Sequence, residues 1–221
     1  MKKKPSIDLH KPSTHDVLVC LSDAPVWASK LLGQNKVYDC FLQNLLQHNF
    51  FMVDGERTTI KKISVQTEIK PDLVNKWLRK IYDDIFDLNY EQPELFRKSG
   101  VKHKLHFRYT FGEAAWLNVW LEATPAVHET FHCYFVKAKV GTDRFWVKEV
   151  SHDIEDGEQE IDVYLEGGFV NRYREWLLDK ARFEGYLSFY ELYSLKDYQI
   201  DEQLWEFSRR GDNAQVLSEV D

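Results

Sequence analysis

The chain has 221 residues, of which 43% are hydrophobic and 14% aromatic, enough to build a core and too many for wholesale disorder. Its 29 Lys+Arg stand against 36 Asp+Glu, a net charge of −7 that argues against a polyanion-binding surface spread over the whole molecule. The charge is uneven, however: residues 1–104 carry 17 basic and 13 acidic side chains, and residues 105–221 carry 12 and 23. Cys20, Cys40 and Cys133 form no CxxC pair, which excludes a disulfide framework or thiolate zinc site and fits a reducing cytoplasm. No apolar run approaches the roughly 20 residues of a membrane span. Lys2 to Lys4 are followed by polar residues rather than the apolar stretch of a signal peptide. A cytoplasmic protein is expected.

Residues 1–16 are polar, contain Pro5 and Pro12, and read as an arm; residues 17–32 suggest a short strand and a helical turn around Pro25. Together with the next few residues they make a first segment, 1–35. From Lys36 the spacing of Val37, Phe41, Leu45 and Leu46 predicts a helix that stops near Asp54-Gly55. Thr58 or Thr59 is placed to cap a second helix through Thr67, with Ile60 and Ile63 inward. Pro71 suits the first position of a third helix, whose Val74, Trp77, Leu78, Ile81 and Ile85 share one face. The periodicity lapses over residues 89–103, so a helical domain is drawn at 36–98 and a second domain at 104–221.

In that second domain the period moves toward two. Leu105 to Tyr109 alternate, Trp116 to Leu121 suggest a further strand, and Phe131–Val140 with Arg144–Val150 read as a hairpin turning at Gly141-Thr142-Asp143. Asp156-Gly157 marks a turn before a strand at Ile161–Leu165. A helix from Phe169 to about Glu184 is expected to bury Tyr173, Trp176 and Leu177, Tyr186–Leu195 suggest another strand, and Glu202–Arg209 a last short helix. The whole is expected to be an α+β protein: a helical domain followed by an antiparallel sheet with one long helix.

Within residues 58–82 the spacing of Ile63, Ser64, Ile69, Val74 and Trp77 resembles the helix-turn-helix superfamily of DNA-binding proteins. The resemblance covers residues 36–88 and departs from the family pattern at Glu68, where glycine is usual, and at Thr67, usually apolar. Winged relatives relax that glycine. It implies that the second helix of the pair enters the major groove of double-stranded DNA. The residues it points to are Asp72, Asn75, Lys76, Arg79 and Lys80 on that helix, with Lys61, Lys62 and Lys70 toward the phosphates. Residues 56–81 hold seven basic and three acidic side chains, so the N-terminal excess sits there. The family further implies a transcriptional regulator that pairs as a homodimer on two half-sites, its second domain sensing a small molecule or meeting a protein effector.

Two readings compete with this one. The first is a protein-interaction or assembly module with no nucleic-acid ligand. The second comes from His128-Glu129-Thr130-Phe131-His132, which satisfies H-E-x-x-H. On a helix, His128 and His132 would share a face and hold zinc, with Glu129 as general base for a hydrolase. Against it, a strand here would set the two histidines about 13 Å apart at roughly 3.3 Å per residue, and no third ligand stands out. No metal, cofactor or catalytic residue is therefore expected. His103 and His106 are expected to bond to the backbone or face solvent, and the acidic run from Asp153 to Asp162 lacks the order of a calcium loop.

Overall fold

Ser13 begins the first helix with a capping box: its hydroxyl accepts from the Asp16 N–H, and the Asp16 carboxylate accepts from the Ser13 N–H. The helix it opens, α1 (Thr14–Asp23), is followed by α2 (Pro25–Ser29), α3 (Asp39–Gln47), α4 (Ile60–Thr67) and α5 (Pro71–Glu91). In the computed structural model, which describes residues 10–48, 58–110 and 112–218, the chain divides into two units, Met1–Phe169 and Val170–Asp221.

The first unit continues through a short 3-10 turn at Pro93–Phe96 into β1 (Val101–Arg108), β2 (Ala115–Leu121), β3 (Thr130–His132), α6 (Lys137–Val140), β4 (Arg144–Glu155) and β5 (Glu158–Gly167). The strands form one sheet in the order β2-β1-β5-β4-β3, parallel between β1 and β5 and antiparallel elsewhere. Strand alternation sends Leu105, Phe107, Leu117, Phe145, Val147, Val163 and Leu165 to one face. There they join Val17, Leu21, Phe41, Leu42, Ile63, Leu78 and Ile85 in a single buried cluster. The opposite face carries a cross-strand row of Trp116, His106 and Tyr164. The His106 ring stacks on Tyr164 at 4.6 Å, and its Nε2 bonds the Asp162 carboxylate. Asp156 and Gly157 both adopt positive φ in the two-residue turn between β4 and β5, the geometry that suits the twist of the flanking strands.

The second unit comprises α7 (Arg172–Phe183), α8 (Phe189–Ser194) and α9 (Asp197–Ser218). Its core is small: Leu177, Ala181, Leu187, Ile200 and Leu204.

The architecture is α+β, as expected, but the sheet is mixed rather than antiparallel, because β1 lies parallel to β5, and several local expectations are corrected. The chain does not divide at residues 98–104, because the same core runs from α1 through the sheet; the division follows Phe169. Residues 17–23 are helical rather than extended, held by the Ser13 cap. Helix α5 runs on to Glu91 through the apparent lapse, because Asn89 is buried against β2: its Nδ2 donates to the Asn118 carbonyl and its Oδ1 accepts from the Asn118 N–H. Of the expected first hairpin arm only Phe131 and His132 are strand, within β3. Residues 137–140 turn into α6, burying Ala138 and Val140, and Gly141 ends that helix at φ 93° instead of turning a hairpin. Tyr186–Leu195 form a loop and α8, opened by a second capping box between Ser188 and Glu191. Trp176 and Tyr173, expected inside, are 55% and 64% exposed.

Candidate nucleic-acid interface

The pairing of α4 with α5 is fixed by local chemistry. The Thr59 hydroxyl accepts from the Lys62 N–H at 3.2 Å and starts α4. Ile63 is fully buried on its inner side. Glu68 ends the helix at φ 56°, ψ 25°, the left-handed conformation that glycine takes most cheaply. The turn is locked from both sides: the Ile69 N–H donates to the Ser64 carbonyl at 3.2 Å, and the Ser64 hydroxyl donates to the Ile69 carbonyl at 2.6 Å. The Thr67 hydroxyl donates to the Ile63 carbonyl, which explains how a polar residue sits at that inner position. Pro71 begins α5, Val74 and Leu78 are fully buried, and half-buried Trp77 packs on Phe41 of α3 with ring centroids 5.3 Å apart.

Around this turn Lys61, Lys62, Lys70, Asp72 and Lys76 are exposed, and Asn75 is half-buried. The four lysines make no ion pair among the described residues. Arg79 and Lys80 differ. The Arg79 guanidinium donates to the Pro12 carbonyl at 3.0 Å and to the Thr14 hydroxyl at 3.2 Å, so it fastens the chain before α1 to α5. Lys80 donates to Asp84 at 2.9 Å; the buried Asp84 carboxylate also accepts from the Tyr38 hydroxyl and lies 3.6 Å from Lys36 Nζ. Burial pushes the Asp84 carboxyl up, but the hydrogen bonds from Tyr38 and Lys80 and the Lys36 charge outweigh it and hold the pKa below the ordinary value. The Asp84 hydrogen bond and charge raise the Lys80 pKa in turn. Six of the eight residues singled out from sequence thus surround one turn, and two are engaged within the protein. The i, i+4 spacing of Lys80 and Asp84 is a local signal for that pair, whereas Pro12 and Thr14, which hold Arg79, and Tyr38 and Lys36, which meet Asp84, lie far along the chain.

The H-E-x-x-H segment is not a helix. His128 sits in a turn at φ 70°, and Thr130–His132 pair with Trp146 to Arg144 of β4. Glu129 Oε2 accepts from the Ala126 N–H at 2.8 Å, closing that turn. The shared helical face the zinc reading requires is therefore missing, and no group of three His, Cys, Asp or Glu is placed to hold a metal among the described residues. His103 is buried with its Nδ1 2.8 Å from the Val101 carbonyl and its Nε2 2.9 Å from the Thr124 hydroxyl, so both ring nitrogens have a partner within the protein. Cys20 and Cys133 have thiols pushed up by burial to about 12 and about 11, which keeps them protonated and poor nucleophiles. Among the described residues no helix is long and apolar enough to cross a membrane.

The chain matches no family model, and no curated protein or solved structure shows significant similarity to it.

Proposed function

We propose that the chain is a DNA-binding regulator that grips double-stranded DNA with α4 and the first half of α5. The observation that carries this reading is the cluster of exposed Lys61, Lys62, Lys70 and Lys76, which make no ion pair among the described residues, around one two-helix turn. Cations held on fixed helices displace condensed counterions from phosphates, and each contact steepens the dependence of binding on salt. Lys61, Lys62, Lys70 and Lys76 serve the backbone, while Asp72 and Asn75 face the base edges, where Asn bonds adenine bidentately. Arg79 and Lys80 leave this set, since reaching DNA would break bonds they already make. Affinity comes from two copies on paired half-sites. Gel shifts with random genomic fragments at low salt test this: retardation should fade steeply as salt rises, and the absence of salt-sensitive binding would sink the reading.

A second reading, a protein-assembly module, is favoured by the second unit. Tyr173, Trp176, Phe183, Phe189, Tyr190 and Trp205 are all more than half exposed there, around a core of five residues. Sedimentation equilibrium showing concentration-dependent association, with no DNA retardation, would place the protein in this class.

A further inference from the structure

A cavity of ≈ 190 Å³ opens beside the last turns of α5, between that helix, the start of β2 and α6. Three rings, Phe86, Tyr90 and Trp116, form much of its wall; Tyr90 and Trp116 are 62% and 48% exposed. Half-buried Lys139 also lines it, its Nζ 4.9 Å from the Phe86 ring centroid, and makes no ion pair among the described residues, although its charge reaches Asp83. Asp87 stands exposed at the rim.

We infer that this cavity binds an aromatic monocarboxylic acid, its ring against Phe86, Tyr90 and Trp116 and its carboxylate on Lys139. Size supports one ring: an apolar cavity of about 150 Å³ accepts benzene, and the surplus here suits one small polar group. The charge sign follows from Lys139. A ligand cation would meet that ammonium at close range, whereas a carboxylate gives it the charge-assisted partner it lacks. A neutral hydrocarbon would take water from the ammonium and leave only the Phe86 face and the Asp83 charge to offset the loss. A polyanion is disfavoured by Asp87 at the rim and by Asp83 and Glu113, which share a neighbouring cleft with Lys139. One negative charge fits.

Phe86, Asp87 and Tyr90 lie on the same helix as Asn75 and Lys76, so a bound acid is coupled to DNA binding through that one element. That regulatory consequence rests on the DNA reading; the binding itself does not.

Saturation-transfer NMR on the full chain, without DNA, tests the site with benzoate and its neutral isostere benzamide. Benzoate should bind saturably and at least tenfold more tightly than benzamide. Lys139→Met should erase the difference between the two, and Tyr90→Ala, at an exposed position, should weaken both about equally. Equal binding of benzoate and benzamide to the wild-type chain, or no benzoate binding at millimolar concentration, overturns the inference whether or not the variants fold. Should benzoate bind with no DNA retardation in a separate gel shift, the site stands and the regulatory role falls.

Discussion

The two halves of α5 share one helix and answer to different demands. From Pro71 to Lys80 only Val74 and Leu78 are buried, and charged side chains point outward. From Ile81 to Asn89 seven residues are buried: Ile81, Tyr82, Asp84, Ile85, Phe86, Leu88 and Asn89. The first half is anchored by that stripe, by Trp77 on Phe41 and by the bonds of Arg79 and Lys80, and leaves Asp72 and Lys76 exposed. The second half is gripped on several sides, by the Tyr82 hydroxyl on the Phe135 carbonyl at 2.7 Å, by the Asp84 network and by Asn89 on β2. A helix held rigidly at one end can present side chains in fixed positions at the other without each needing its own support. In the proposed reading, stability and recognition are thereby separated along roughly 30 Å of helix at about 1.5 Å per residue.

That separation should be visible as a gradient of mutational effects. The largest is expected at Ile85→Ala, where a fully buried side chain leaves a cavity in the common core; a loss of about 2–5 kcal/mol in urea unfolding is expected. An effect near zero there would show that the second half is not the anchor. Asp84→Asn should lose about 1–3 kcal/mol by the same measurement, since the ion pair and charge-assisted hydrogen bonds weaken. Its pH dependence is directional. Asp84 titrates lower in the folded chain than its ordinary 3.8, so its contribution is full above that value and is lost as pH falls through the lowered one. The acid limb of the wild-type stability profile should therefore be steeper than that of Asp84→Asn. Identical acid limbs would mean the carboxylate is not held as described.

The smallest effects on stability, and the sharpest contrast, belong to the first half. Lys76→Ala should change stability by no more than about 0.5 kcal/mol while lowering the salt slope of DNA binding by about one. Arg79→Ala should do the reverse. It loses the Pro12 and Thr14 bonds, at about 1 kcal/mol, and leaves the salt slope unchanged. If Arg79→Ala flattens the slope as Lys76→Ala does, the guanidinium leaves the arm when DNA binds and the division between the halves is less clean.

How much of this could be read from the residues depends on the range of the interaction involved. The turn between α4 and α5 is written locally, in Thr59, Ser64, Ile69 and Pro71, and the spacing of Ile63, Val74 and Leu78 marks the buried stripe. Capping boxes at Ser13 and Ser188 are equally local signals, and they prevail over the apolar and aromatic composition that suggests a short strand within residues 17–32 and another at 186–195. What stayed hidden depends on distant partners. Nothing near Arg79 or Lys80 announces Pro12, Thr14 or Tyr38, and nothing near residues 133–140 shows that the core behind them favours a helical turn over a longer hairpin. Trp176 fits a helical face in the sequence, yet a core as small as that of the second unit closes without it. The H-E-x-x-H pentapeptide had the right letters, but the β4 pairing partner decided its conformation.

The contact between Asn89 and Asn118 has a consequence for solubility. β2 lies at one border of the sheet, and along a border strand alternate residues turn their N–H and C=O groups outward, where a strand from another molecule can add. Asn118 sits at the middle of that border, and the Asn89 side chain takes both of its outward groups as a neighbouring strand would. The other border, β3, is only three residues long. A single amide on α5 thus does the work of a capping strand, and its removal would open the middle of β2 to templated aggregation.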